Sequence, residues 1–130
     1  MRLLLDTHYA LWVAVFTDRL KGSERPLLDA NEVVASAVSL WELRIKWALF
    51  GRDGARKGPA DPADVFTGLA RLGIATLPLT AEQACAGLLH PIAHRDPFDE
   101  QLLVQAQNLG ARLLTRDDRL LDHPLAWRAE

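Results

Sequence analysis

Five acidic side chains stand where the chain would bring them to one edge of a fold: Asp6, Glu42, Asp96, Asp99 and Asp117. The outermost two are more than 110 residues apart. Carboxylates crowded at one point repel each other, and a hard divalent cation is the ordinary way to make such a pocket tolerable. The chemistry such a cation would support acts on phosphate: the ion lowers the pKa of a bound water, which attacks phosphorus, and it neutralises the charge that develops.

The elements that must position these acids follow from the apolar runs. LLLD (3–6) reads as a short buried strand, and THYALWVAV (7–15) as a helix with Leu11, Trp12 and Val15 on one side. A second helix opens at Ser23 or Glu24, with Pro26 in its first turn. Residues 32–38 form a second strand and 39–50 a helix. The stretch 51–62, with three glycines and two prolines, is a loop. Asp61 or Asp64 caps a helix to about Leu72, and 73–79 is a third strand. Thr80 and Gln83 form a capping box for a helix ending near His90–Pro91. A helix over 97–109 is stopped by Gly110. A strand over 111–115 and a short edge strand within 125–129 complete the series. Alternating strands and helices predict an α/β fold in one domain, 1–130, with a parallel sheet covered on both faces. In such sheets, sites lie beyond the carboxyl ends of the strands.

Each acid has a plainer use as well. Asp6 ends the first strand and is also a good N-cap, although Thr7 could cap instead. Ser39, Glu42 and Lys46 share one helix face, so Glu42 is either a metal ligand or the partner of Lys46. The rest of that helix is apolar, and a buried glutamate needs a partner. Asp96, with Pro97 next to it, is placed as N-cap or as a supporting acid. Asp99 shares a stripe with Leu102, Leu103 and Ala106 and so points to the covered side. Asp117, nearer the fourth strand than Asp118, is preferred as ligand over turn residue. Thr7, Ser39, Lys46, Thr115 and Arg116 are candidates for orienting the pocket or contacting substrate.

Charge narrows the substrate. The net charge of −2 argues against a generic polybasic nucleic-acid binder. With the five pocket acids set aside from 17, however, 12 acids face 15 Lys and Arg. Arg44, Lys46, Arg52, Arg56 and Lys57 cluster, as do Arg112, Arg116 and Arg119, and a basic rim suits a polyanion. The lone Cys85 excludes an internal disulfide and reads as a small hydrophobe on a helix. His8 could touch the site, but His90, His94 and His123 form no zinc pattern. No signal-peptide pattern opens the chain and no apolar stretch is long enough to span a bilayer, so the cytoplasm is expected.

The stretches LLLDTHYALW, ASAVSLWELRIKWALFG and HRDPFDEQLLVQAQNLGARLLTRDDRL resemble the PIN-domain ribonucleases, specifically VapC-type toxins of bacterial toxin–antitoxin pairs. The similarity runs from residue 3 to about 121. It implies a three-layer α/β/α fold with a parallel sheet of four or five strands. It implies a Mg²⁺- or Mn²⁺-dependent endoribonuclease with Asp6, Glu42, Asp99 and Asp117 as catalytic acids and Asp96 as an extra one. It also implies an inhibiting antitoxin and a homodimer. One departure is Glu100, where an arginine commonly follows DPFD. Two other readings stay open on the residues alone: a catalytically inactive interaction module of the same fold, and a receiver-like phosphoacceptor.

Overall fold

A computed structural model of the chain describes residues 1–127. Five parallel strands, β1 (Arg2–Leu5), β2 (Glu32–Ser36), β3 (Ala75–Leu77), β4 (Arg112–Leu114) and β5 (Ala126–Trp127), lie in the order β3-β2-β1-β4-β5. Six helices link them: α1 (Thr7–Ala14), α2 (Glu24–Ala30), α3 (Ala37–Trp47), α4 (Pro62–Arg71), α5 (Ala81–Cys85) and α6 (Pro97–Leu109). A 3₁₀ turn spans Thr17–Arg19.

The strands are apolar on both sides because both faces are covered. Leu4, Val34 and Leu113 point to one face, where they meet Leu102, Leu103 and Ala106 of α6. Their chain neighbours Leu5, Ala35 and Leu114 point to the other, against Tyr9, Leu11 and Val13 of α1, Leu43 of α3, and Val65 and Leu69 of α4. The alternation follows from the two-residue period of a strand. The result is the three-layer α/β/α sandwich that the pattern of elements implies, with β1 fully buried at its centre from Leu3 to Leu5.

Local signals set several boundaries as expected. Asp61 accepts from the Ala63 N–H and caps α4. Thr80 and Gln83 complete a capping box on α5. Gly110 adopts φ 64°, a left-handed conformation that ends α6 at low cost only for glycine.

Three expectations are corrected. First, α3 begins at Ala37, not at residue 39, because the Ser36 hydroxyl accepts from the Val38 N–H and cuts β2 short. Second, α5 stops at Cys85, not near His90, and Ala86 is extended. The next residues bond instead to α6: Gln107 donates to the Gly87 carbonyl at 3.0 Å and accepts from the Leu89 N–H at 2.9 Å. Third, Cys85 is exposed rather than packed. Of the edge strand expected within 125–129, β5 covers Ala126–Trp127, and residues 128–129 lie outside the described residues. Among the described residues no helix is long and apolar enough to cross a membrane.

α1 and α4 meet closely at Gly68. A Cβ there would lie 2.6 Å from the Ala14 carbonyl oxygen, so the helices would have to part. Gly68→Ala is expected to cost about 1–3 kcal/mol in urea unfolding. Gly22→Ala, which meets nothing within 4 Å, should change stability by less than about 0.5 kcal/mol.

Candidate active site

β1 and β4 are neighbours, but the chain leaves β1 for β2 on one side and β4 for β5 on the other. A crevice opens at such a reversal, beyond the carboxyl ends of the strands. Asp6 directly follows β1, and Asp117 comes three residues after β4. The two line a cleft of about 250 Å³ together with His8, Trp12 and Arg116. A larger cleft of about 510 Å³, between α2 and the starts of β2 and β3, contains none of the five acids.

Asp6 is both helix cap and cleft acid. Its Oδ1 accepts from the Tyr9 N–H at 2.9 Å, the bond that starts α1. Only 5% of the residue is exposed. Burial pushes its carboxyl up to about 6; bonds from the Tyr9 N–H and the Thr115 hydroxyl oppose the rise, and the Asp99 charge adds to it.

Thr7 leaves the capping to Asp6 and reaches α3 instead. Its Oγ1 lies 2.7 Å from Glu42 Oε1 and 3.1 Å from Ser39 Oγ. A carboxylate can only accept, so the single Thr7 proton goes to Glu42 and the Ser39 hydroxyl donates to Thr7. Glu42 is buried, and its other oxygen accepts from Lys46 Nζ at 2.9 Å. The Glu42–Lys46 pair therefore exists, but as the outer half of a chain of bonds that runs inward to α1.

Asp96 caps α6, accepting from the N–H groups of Phe98 (2.9 Å) and Asp99 (3.2 Å). Asp99 is half-buried, and its Oδ2 lies 3.0 Å from His94 Nε2 and 3.5 Å from Arg119. Burial raises the Asp99 carboxyl above the usual range; the His94 bond opposes this, and the charges of Asp96 and Asp117 reinforce it. Asp117 is held below the usual range, foremost by Arg119, whose guanidinium grips both its oxygens at 2.8–3.3 Å. The Thr115 hydroxyl accepts from the Asp117 N–H at 3.0 Å and so shapes the turn beneath it. Asp118 is exposed.

Asp6, Asp96, Asp99 and Asp117 are thus close enough for their charges to act on one another, and Glu42 is joined to them through Thr7. They do not form a finished cage. Among the described residues, no three His, Cys, Asp or Glu side chains converge tightly enough to hold an ion unaided. The carboxylates are turned onto Arg119, His94 and Lys46. The donors are nevertheless anionic oxygens, the set a hard divalent cation prefers, and Mg²⁺ characteristically retains waters rather than demanding a full protein shell.

Arg116 stands at the cleft, as the sequence places it, but it is already partnered. Its guanidinium lines the cleft but is bound to Glu24, the Tyr9 hydroxyl and the Arg19 carbonyl, so it is not free to meet phosphate. Burial alone would raise the Glu24 carboxyl, but bonds from Arg116 and Tyr9 outweigh it and bring it below the usual range. The sequence places Arg119 only in a basic rim, weighs His94 only as a zinc ligand, and reads Glu24 only as a helix start. The signal available for His94 and Arg119 was their nearness in the chain to Asp99 and Asp117. Glu24 carried none beyond that of a first-turn acid.

The chain matches the family model for the PIN domain over residues 3–124. No curated protein matches it. Among solved structures, it is similar to a chain in the crystal structure of VapBC2 from Rickettsia felis bound to a DNA fragment from their promoter. Identity is 15%, coverage 98% of this chain and 97% of that one, and the TM-score 0.64. At that identity, the likeness speaks for the fold alone.

The raised Asp6 carboxyl has a sign that can be checked. A folded pKa of about 6 against the ordinary aspartate value of 3.8 means that the folded state binds the proton more tightly. Stability is then greatest below the unfolded pKa and falls as pH rises through about 6. Asp6→Asn keeps an N-cap without the charge. In chelator-treated protein it is expected to be about 1–3 kcal/mol more stable than wild type at pH 8, with the difference shrinking toward pH 4 in urea titrations.

Proposed function

The chain belongs to the PIN domain family, and from that membership we propose that it is a VapC-type toxin, a Mg²⁺- or Mn²⁺-dependent endoribonuclease inhibited by a cognate antitoxin. The observation that carries this reading is the gathering of Asp6, Asp99 and Asp117 at the β1/β4 reversal, with Glu42 tied in through Thr7. Acids that raise one another's pKa are costly to keep together, and a site needing negative charge is the economical reason to do so.

Asp6, Glu42, Asp99 and Asp117 would hold the cation, with Asp96 beside them. The bound ion would supply charge neutralisation at the phosphate and a readily deprotonated water. The remaining work belongs to the chain. Ser39 and Thr7 hold Glu42 in one rotamer. Thr115 orients both Asp6 and Asp117. Arg119 and Lys46, exposed at the rim, are free to turn from the acids toward a phosphodiester backbone. The RNA cut is single-stranded or looped at that point, since side chains reach bases there and not in the deep groove of an A-form helix.

The antitoxin reading draws on the VapBC2 neighbour, a complex of two proteins. Here Trp41 and Phe66, each roughly half exposed, line one cleft that a partner would cover, and Leu49 and Phe50 are exposed as well. We also propose a homodimer, on the resemblance to VapC-type toxins, and a cytoplasmic setting; Glu100, next to Asp99 in the chain, is exposed.

Single-stranded RNA should be cut in the presence of Mg²⁺ or Mn²⁺ and left whole in chelator. Asp6→Asn and Asp99→Asn should each slow cleavage by roughly 10²-fold or more. Equal turnover by wild type and both variants would leave the inactive interaction module as the better reading. Separately, a cation that binds only the folded acids must stabilise the fold. Millimolar Mn²⁺ is expected to raise the melting temperature by roughly 5 °C in wild type, and much less in Asp99→Asn.

A further inference from the structure

Glu24 is the most completely buried charged residue among those described, 0% exposed, and it lies outside the acid quartet. Its carboxylate accepts from Arg116 through both Nε and Nη2, from the Tyr9 hydroxyl, and from the Lys21 N–H at 2.6 Å. Arg116 is further held by the Arg19 carbonyl at 2.9 Å and stacks over Trp12 at 4.4 Å. Glu24 is buried while Arg116 is part exposed, and an ion pair that takes a carboxylate out of water is a poor stability device, since apolar residues of the same shape serve as well or better. It is worth keeping where it fixes a geometry or a charge.

The geometry here is specific. Arg116 is the residue immediately before Asp117, and it lines the same cleft as Asp6 and Asp117. A loose guanidinium at that place would fork onto those carboxylates, as Arg119 does from the rim onto Asp117. We propose that Glu24 is a latch: it holds Arg116 against Trp12 and Tyr9 and cancels its charge, so that the cleft stays anionic and open to a divalent cation. Tyr9 joins the latch to the site, since its hydroxyl binds Glu24 while its N–H binds Asp6. Glu24 is a positioning residue that acts through Arg116. The inference rests on the metal reading of the acids.

The test is calorimetric titration of Mn²⁺ into the full chain as wild type, Glu24→Gln, Arg116→Met and the double variant. Glu24→Gln should weaken Mn²⁺ binding by about tenfold or more, because the freed cation competes for the acids. Adding Arg116→Met should restore affinity to within about threefold of wild type, although the double variant has lost more buried bonds. A purely structural role predicts the opposite order, with the double variant at least as impaired. Should Glu24→Gln not fold, Glu24→Asp, which draws the carboxylate back by one methylene, should show a smaller loss with the same rescue. Wild-type affinity in Glu24→Gln and Glu24→Asp, or no rescue by Arg116→Met, overturns the latch. No Mn²⁺ binding by the wild type overturns the metal site itself.

Discussion

Crowding carboxylates at one edge of a sheet is the constraint around which the rest of this molecule is arranged. Asp6 and Asp99 are both pushed toward protonation by burial; the Asp99 charge adds to the rise at Asp6, and those of Asp96 and Asp117 add to the rise at Asp99. The fold meets that cost in small local ways. Asp6 and Asp96 sit at the N-termini of α1 and α6, where unpaired N–H groups and the helix dipole favour negative charge. Thr115 and Thr7 add hydroxyl donors. Lys46 and Arg119 supply countercharge from the solvent side, where both can move away.

These devices work only because the sheet beneath them is rigid. β1 is buried on both faces and paired on both edges, so Asp6 leaves it in a fixed direction. The anchoring extends to α3 through a polar network in the core. Gln105 of α6 meets the Ser36 hydroxyl that caps α3, and is itself held by Gln83 of α5. Three helices are thereby tied together below the site, and the cap that sets the start of α3 also sets the height at which Glu42 emerges. Fully satisfied buried networks of this kind specify one arrangement.

Most of what was legible from residues alone is local in origin. The Pro97 start and Gly110 stop of α6 depend on backbone chemistry within a turn, as does the Thr80–Gln83 capping box. What was misjudged depends on distant partners. α5 looked longer because EQACAGLL carries no breaker before Gly87, yet its tail is claimed by Gln107 from α6. Arg116 looked like a phosphate contact because it precedes Asp117, yet Glu24, 92 positions earlier in the chain, takes it.

By itself, the order of apolar runs determined a parallel α/β sheet, and with it the edge at which Asp6, Glu42, Asp99 and Asp117 had to emerge. That follows because strand ends and helix starts are written in short-range patterns, and the topology of alternating units leaves one edge for sites. Only the tertiary structure decided how those acids are partnered: Asp99 with His94, Asp117 with Arg119, Glu42 with Thr7, and Arg116 with Glu24. The direction in which a charged side chain turns is set by whichever opposite charge or donor the fold brings within about 3 Å, and spacing along the chain carries no record of that.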